Sequence, residues 1–459
     1  MNTTWPTVQL GTLLTDIQPG FASGKHNSEG EGIPHFRPMN VSTHGHIERS
    51  VMKYVDPSAG RPDIRLEAGD ILFNNTNSPE LVGKTALFED EDSPAFSNHM
   101  TRLRVDSKQL DAEYAALRLH QAWREGWFAA HCNNHVSQAS ISREVLKGFE
   151  IELPPLDVQH AITSLSNAIR DSRLSAATHL VDAQTAVMRF RQSVLTAACS
   201  GRLTAGWRIK NQVDTGDELV DRVSKERRAH LGRRYRDELP TETGTMPEIP
   251  ESWSWASPGS LCEPDRIITY GVIKLGPPVE DGVPTLRSSD VRWLHIDSSR
   301  VKRISQEIAD NYKRTYLKGG EILVTVRGTL GGVAVAPADM AGWNVSREVA
   351  VIPLSRYLDA DYCALWIGSM HSQRWLTGVA KGVAYTGVNI EDLRKLPLPI
   401  PPIAEQREIV RVVSHLLKSA DALLARIDAS SHRVDRTSQA VLAKAFRGEL
   451  IAAEDHPDV

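Results

Sequence analysis

The feature that most constrains this 459-residue chain is that part of it is written twice. Residues 144–203 align without a gap on residues 391–450, at a constant offset of 247, and fifteen of the sixty positions are identical. Unrelated segments would share roughly three, and the matches fall on conformationally rigid points. These include Pro154-Pro155 with Pro401-Pro402, Gln159 with Gln406, Ile162 with Ile409, Val194-Leu195 with Val441-Leu442, and Gly201-x-Leu203 with Gly448-x-Leu450. Upstream the likeness is weaker. Trp5 and Gly11-Thr12-Leu13 answer Trp253 and Gly259-Ser260-Leu261, Pro34 and Arg37 answer Pro284 and Arg287, and Gly69-Asp70-Ile71-Leu72 answers Gly320-Glu321-Ile322-Leu323. Offsets there drift between 248 and 251, as small loop insertions would produce. The repeat predicts an order of variable domain, long helix, variable domain, long helix.

Periodicity supports the helices. Ile409, Val413, Leu416, Ala420, Leu423 and Ile427, then Val434, Val441 and Ala445, follow three-four spacing with one phase shift near Ser431. The first copy has Leu165, Ile169, Ala176, Leu180, Val187, Phe190 and Val194, and the copies stop at Gly201 and Gly448. A helix from Ala404 to Phe446 has 43 residues, about 64 Å at 1.5 Å per residue. An apolar seam of that length needs a partner, and the other copy, packed antiparallel in the same chain, is the simplest.

The variable segments read as α plus β. Asp70-Ile71-Leu72-Phe73 and Glu321–Val326 are short apolar runs bounded by glycine or asparagine, as in buried strands, while Ala112–Ala130 and Asp359–Trp375 carry apolar residues at helical spacing. Boundaries follow at 1–153 and 251–398 for the variable domains, 154–204 and 399–450 for the long helices, 205–250 for a linker and 451–459 for a tail. Within the linker, Asp217–Glu238 predicts a charged helix bearing Lys225, Arg227, Arg228, Arg233, Arg234 and Arg236, most simply a solvated face.

Composition narrows the chemistry. Fifty-three Lys and Arg against 57 Asp and Glu give a net charge of −4, so no bulk positive field draws the chain to a polyanion and such a partner must meet local patches. Cys132, Cys199, Cys262 and Cys363 lie far apart, with no Cys-x-x-Cys pair for zinc or redox chemistry, which fits a reducing cytoplasm. Neither a secretion signal nor an apolar run of about 18 residues is expected. Ser78–Thr85 ends in Gly-Lys-Thr like a phosphate-binding loop, but Ser78 replaces its first glycine and Pro79 removes an amide. Neither a His-Glu-x-x-His nor a Gly-x-Ser-x-Gly motif occurs, and His44 with His46, and His131 with His135, read as polar loop histidines. Catalysis in this chain is not expected.

The stretch Leu396-Pro397-Leu398-Pro399-Ile400-Pro401-Pro402-Ile403-Ala404-Glu405-Gln406, entering a long helix that ends Phe446-Arg447-Gly448-Glu449-Leu450, resembles the type I restriction-modification specificity subunit. The first copy departs from the signature at Asp157-Val158, while Ile249-Pro250-Glu251-Ser252-Trp253 and Gly320–Gly332 extend the likeness. The resemblance implies an α+β fold: two α/β target-recognition domains separated by two long helices that form an intramolecular antiparallel coiled coil, a pseudo-two-fold repeat. It implies a cytoplasmic, non-catalytic subunit that reads an asymmetric bipartite DNA target. It also implies two adenine methyltransferase subunits anchored by this chain, and motor-nuclease subunits joining through them. No cofactor is implied here; S-adenosylmethionine would sit in the methyltransferases, ATP and magnesium in the motor-nucleases.

Base-edge readers under that resemblance are hydrogen-bonding residues on loops around the β segments. In the first domain these are Lys25, Arg37, Asn74, Asn75, Asn77, Lys84 and His99; in the second, Lys274, Arg287, Arg292, Thr325, Arg327, Thr329, Arg347, Lys381 and Tyr385. Arg407, Arg411, Arg433 and Arg436 are candidates for binding the methyltransferases. The alternative is a non-catalytic coiled-coil scaffold whose α+β domains bind protein partners.

Overall fold

A computed structural model describes residues 5–58, 61–134, 138–211, 214–236, 243–244, 246–380 and 387–450. It divides into two compact units: Met1–Val181 with Asp428–Val459, and Asp182–Ile427. Each contains one variable domain and a share of both long helices, Leu156–Cys199 and Ile403–Phe446.

In the first unit the central sheet is antiparallel throughout, ordered Leu14–Pro19, Met100–Val105, Ile71–Asn74, Thr85–Leu87, with Ile71 opposite Leu103 and Phe73 opposite Thr101. The run Ile71-Leu72-Phe73 is wholly buried because both sheet faces are covered. Side chains alternate across a strand, so Ile71 and Phe73 enter one core with Leu10, Leu13, Tyr114 and Leu119, while Leu72 enters another with Phe36, Phe88, Phe96 and Met100. The helix Ala112–Arg124 covers the first face; Asp111 caps it by accepting the Tyr114 N–H at 2.8 Å. It stops before Gly126, whose φ of +79° suits glycine, and the predicted Ala112–Ala130 helix is therefore two pieces, with Trp127–His131 as the second.

The second unit repeats this plan. Its sheet is ordered Thr269–Tyr270, Val349–Ile352, Ile322–Thr325, Val333–Val335. Ile322 and Val324 enter a core with Tyr362 and Trp366, while Leu323 enters another with Leu286, Val345 and Val351. Asp359 caps the helix Ala360–Ile367 as Asp111 does its counterpart. In each unit a two-stranded ribbon, Thr7–Gln9 with Glu150–Glu152 or Ser254–Ala256 with Leu398–Ile400, joins the start of the variable domain to its end.

The long helices pair antiparallel. In the first unit Ile162 shares a core with Ala445 and Phe446, and Arg173 Nε lies 3.2 Å from Asp435 Oδ1. In the second, Val194 and Ala198 share a core with Ile409 and Val413, and Arg191 pairs with Asp421. Numbers rise on one helix as they fall on the other. Both helices run 44 residues, unbroken past Ser431, where the seam shifts phase. The seam does not bury every predicted position: Phe190 is 42% exposed and Leu423 46%.

The solvated linker helix is also corrected. The charged helix runs Gly216–Leu231, ends at Gly232, and is docked rather than solvated along its length. Leu219 and Val223 are buried, and a Cβ on Gly216 would lie 2.0 Å from the Ile400 carbonyl oxygen. Arg227, counted with the solvated cations, is buried and donates to the Cys262 carbonyl at 2.9 Å. Lys225, Arg228, Arg233, Arg234 and Arg236 are exposed. The alternation of Leu219, Val223 and Arg227 at four-residue steps is the helical stripe that packs.

Candidate nucleic-acid interface

The two variable domains carry the same loop, held by equivalent backbone bonds. In the first, Ser97 N–H donates to the Phe36 carbonyl at 2.9 Å and Asn98 N–H to that of Phe21 at 3.2 Å, and the His99 carbonyl accepts from Asn75 and Thr76 at 3.1 and 3.2 Å. In the second, Ser346 N–H donates to Leu286 at 2.8 Å and Arg347 N–H to Val272 at 2.8 Å, and the Glu348 carbonyl accepts from Val326 and Arg327 at 2.8 and 3.3 Å. Ser97 Oγ accepts the His99 N–H at 3.1 Å, and Ser346 Oγ that of Glu348 at 3.3 Å. The strand beside each loop comes very close. A Cβ on Gly20 would sit 2.2 Å from the Phe96 carbonyl oxygen, and one on Gly271 1.8 Å from that of Val345, so only glycine fits either position.

Several predicted residues stand around these loops. Asn75 flanks the first, donating through Nδ2 to Thr76 Oγ1 at 3.1 Å and accepting from Thr101 Oγ1 at 3.3 Å. His99 is half-buried within it, Lys25 is exposed, and Asn77, half-buried on the strand Thr76–Asn77, caps its own turn by accepting the Ser78 N–H. Arg347 projects from the second loop. Arg327 and Thr329 lie exposed beside it, with the Arg327 guanidinium 5.9 Å from the centre of the Tyr270 ring. Lys274 is exposed in the loop after Thr269–Tyr270, and Arg292 on the strand Val291–Arg292. None of Lys25, Lys274, Arg292, Arg327 or Arg347 makes an ion pair within 4 Å among the described residues, although Lys25 and Arg292 act at longer range on Asp56 and Asp297. Lys381 and Tyr385 lie outside the described residues.

Others serve the fold. Lys84 is buried, its ammonium donating to the carbonyls of Val41 and Pro38, and burial lowers its pKa; the Gly-Lys-Thr sequence thus points inward and makes no phosphate cradle. Asn74, fully buried, donates to the Leu81 carbonyl at 3.1 Å, and Thr325 accepts the Gly332 N–H at 2.8 Å. Arg287 is clamped by Asp290 at 3.1 and 3.2 Å. Its counterpart Arg37 faces Asn40 instead, whose side chain accepts the Arg37 backbone N–H at 2.9 Å, and the turn supplies no carboxylate to clamp it. Two further exposed residues stand at these loops and are not among the sequence candidates, Asn98 in the first and Tyr270 under Arg327. Phe96-Ser97-Asn98 aligns with Val345-Ser346-Arg347, so the repeat continues there.

Burial lowers the pKa of two histidines near the first loop, His26 and His35. His26 Nε2 lies 3.3 Å from His35 Nδ1, and burial, then the neighbouring His26, push the His35 pKa down to about 4. His131 stacks on Trp127 at 4.0 Å, while His44 and His46 are exposed and His135 lies outside the described residues. Among the described residues no cluster of three His, Cys, Asp or Glu could hold a metal, and no helix is long and apolar enough to cross a membrane.

The start of the second long helix is a buried polar knot. Glu405 accepts from Thr204 at 2.7 Å, Arg208 at 2.7 Å and Trp253 Nε1 at 3.0 Å. On the outer face, Arg407 is exposed and Arg411 pairs with Glu408 at 2.7 Å. Arg433 and Arg436 are exposed on the first unit's share of the helix, where Arg433 borders an apolar groove of about 600 Å³ between Ile169 and Val441.

A duplicated α+β domain with a duplicated antiparallel helix is a specific architecture. The family model of the type I restriction modification DNA specificity domain matches residues 4–172 and 282–430. The chain belongs to that family. It is similar to the type I restriction enzyme EcoBI specificity subunit of Escherichia coli, 31% identical over 327 residues, 71% of this chain and 64% of that protein. The EcoDI specificity subunit of the same species is 27% identical over 59% of this chain and 56% of its own length. The chain thus spans less than two thirds of either relative in these matches. A protein solved in work on complex assembly and conformational transition of the type I R-M system shares the fold, with a TM-score of 0.66 at 17% identity over 98% of this chain and all of that one. Family membership accounts for the order of elements and for the paired helices.

Proposed function

We propose that this chain is the DNA-recognition subunit of a type I restriction-modification system. Each variable domain reads one half of an asymmetric bipartite target, and the helices anchor two adenine methyltransferase subunits and, through them, motor-nuclease subunits. The chain performs no chemistry itself: S-adenosylmethionine belongs to the methyltransferases, ATP and magnesium to the motors. It acts in the cytoplasm, where its DNA is. One observation carries the reading. Two domains of the same backbone present different exposed side chains at equivalent loop positions, which is what two different half-sites require.

The net charge of −4 is consistent with division of labour. Phosphate contacts dominate affinity, and the partners supply many of them; this chain supplies local donors for base edges. The test is long-read mapping of methylated adenines in cells carrying the chain and its methyltransferase. A two-part motif with two different halves, lost on deleting this chain, is the expected result. A single undivided motif, or one that survives the deletion, refutes the proposal.

A further inference from the structure

The geometry points to Asn98 and Arg347 as the paired specificity-determining residues, one in each domain, with Asn98 reading adenine in one half-site and Arg347 reading guanine in the other. This rests on the functional reading above and deepens it.

The two residues occupy the same place. Each is the middle residue of a three-residue loop, its own N–H held by the facing strand (Phe21 or Val272), the preceding serine N–H held by Phe36 or Leu286, and the following carbonyl held by two N–H groups at once. The serine hydroxyl closes the turn in both. The backbone N–H groups of all three loop residues are therefore bonded in both domains, while the middle side chain is exposed and makes no side-chain hydrogen bond among the described residues. A fixed backbone with one free hydrogen-bonding side chain can aim that side chain at a base edge without first being ordered. Nearby candidates are less free: Arg327 lies over Tyr270, Arg287 is clamped by Asp290, and Asn75 is bonded to Thr76 and Thr101.

The chemistry of the two side chains then sets the base. A guanidinium presents two parallel donors that match O6 and N7 of guanine; a carboxamide presents one donor and one acceptor that match N7 and N6 of adenine. Because the backbone frames are alike, exchanging the side chains exchanges the preference.

The experiment maps methylated sites for the full chain, co-expressed with its methyltransferase, as wild type, Asn98→Arg, Arg347→Asn and Arg347→Ala. Asn98→Arg is expected to shift one position of one half-site from adenine to guanine by roughly 10- to 100-fold in preference. Arg347→Asn should do the reverse in the other half, and Arg347→Ala should relax that one position, each leaving the remaining half intact. The assignment is overturned if the wild type gives a two-part motif and the variants leave it unchanged, or alter both halves. It is overturned too if Arg347→Ala lowers methylation equally at all sites while its melting temperature is unchanged, because that marks a phosphate contact. A wild type without a two-part motif would instead remove the functional reading, and this assignment with it.

Discussion

The side-chain oxygen of Gln406 accepts the backbone N–H of Asp359 at 2.9 Å, and its amide nitrogen donates to the Pro401 carbonyl at 2.8 Å. Asp359 caps the helix Ala360–Ile367, so one glutamine ties the start of a long helix to the helix of its variable domain. Gln159 makes the equivalent bonds, to Asp111 at 2.7 Å and Pro154 at 2.8 Å, and adds one to the Gln109 carbonyl. The glutamine shared by the two copies is a joint.

Gln406→Ala should therefore cost about 2–4 kcal/mol, because it leaves a half-buried N–H and a buried carbonyl without partners. Urea unfolding of the full chain, followed by circular dichroism, measures it. A change below about 0.5 kcal/mol would show that water replaces the side chain.

Glu405→Ala should be worse, about 3–5 kcal/mol, since Arg208 would lose its buried counter-charge along with the Thr204 and Trp253 bonds. Glu405→Gln keeps the shape and should fall between. Thermal denaturation of the three proteins gives the order, and an alanine variant as stable as the glutamine variant would contradict it.

Gly271→Ala should impair one half of recognition, because the new methyl group must displace the Val345 carbonyl beneath Ser346 and Arg347. Hydrogen exchange should speed up at residues 346–348 and not at 97–99. Gly20→Ala should give the mirror result, and uniform exchange changes throughout the chain would exclude a local effect.

Stability should fall on acidification. Burial keeps His35 and His120 neutral in the fold, with pKa values lowered to about 4 and about 3, against 6.5 when unfolded. Above pH 6.5 neither state is protonated and nothing is lost. Between 6.5 and 4 the unfolded chain takes up protons that the folded chain refuses, so each histidine removes up to about 1.4 kcal/mol per pH unit. His35→Gln and His120→Gln should flatten the pH profile of unfolding between pH 4 and 6.5; profiles parallel to that of the parent would contradict the assignment.

Replacing Thr7–Leu153 with the corresponding domain of another family member should change one half of the methylated motif and leave the other. Two altered halves would mean that the domains do not read independently.

Much of the fold was legible because repetition and period are properties of the chain itself. Pro154-Pro155, Gln159 and their copies marked where helices start, and Ile71-Leu72-Phe73 and Ile322-Leu323-Val324 marked strands buried on both faces. The helix at Gly216–Leu231 is legible in the sequence as a helix but not as docked, since its stripe of Leu219, Val223 and Arg227 includes a charge that finds a carbonyl only in the folded unit. The site was less legible. Lys84, Asn74 and Thr325 have the chemistry of readers, yet they satisfy carbonyls and amides inside their own domain. Asn98 is not legible as a candidate in the sequence, because nothing in an isolated Ser-Asn-His marks a rigid loop.

The sequence by itself determined the duplication, the helix starts and stops, and the strands that had to be buried, because these follow from backbone preferences and from the spacing of apolar residues. Tertiary structure alone decided which polar side chains face outward. A hydrogen-bonding group turns inward whenever the folded backbone leaves a carbonyl or N–H within about 3 Å that water cannot reach. That condition joins Lys84 to Val41 and Arg227 to Cys262, residues remote along the chain. Asn98 and Arg347 stay exposed in the middle of turns whose backbone N–H groups already have partners.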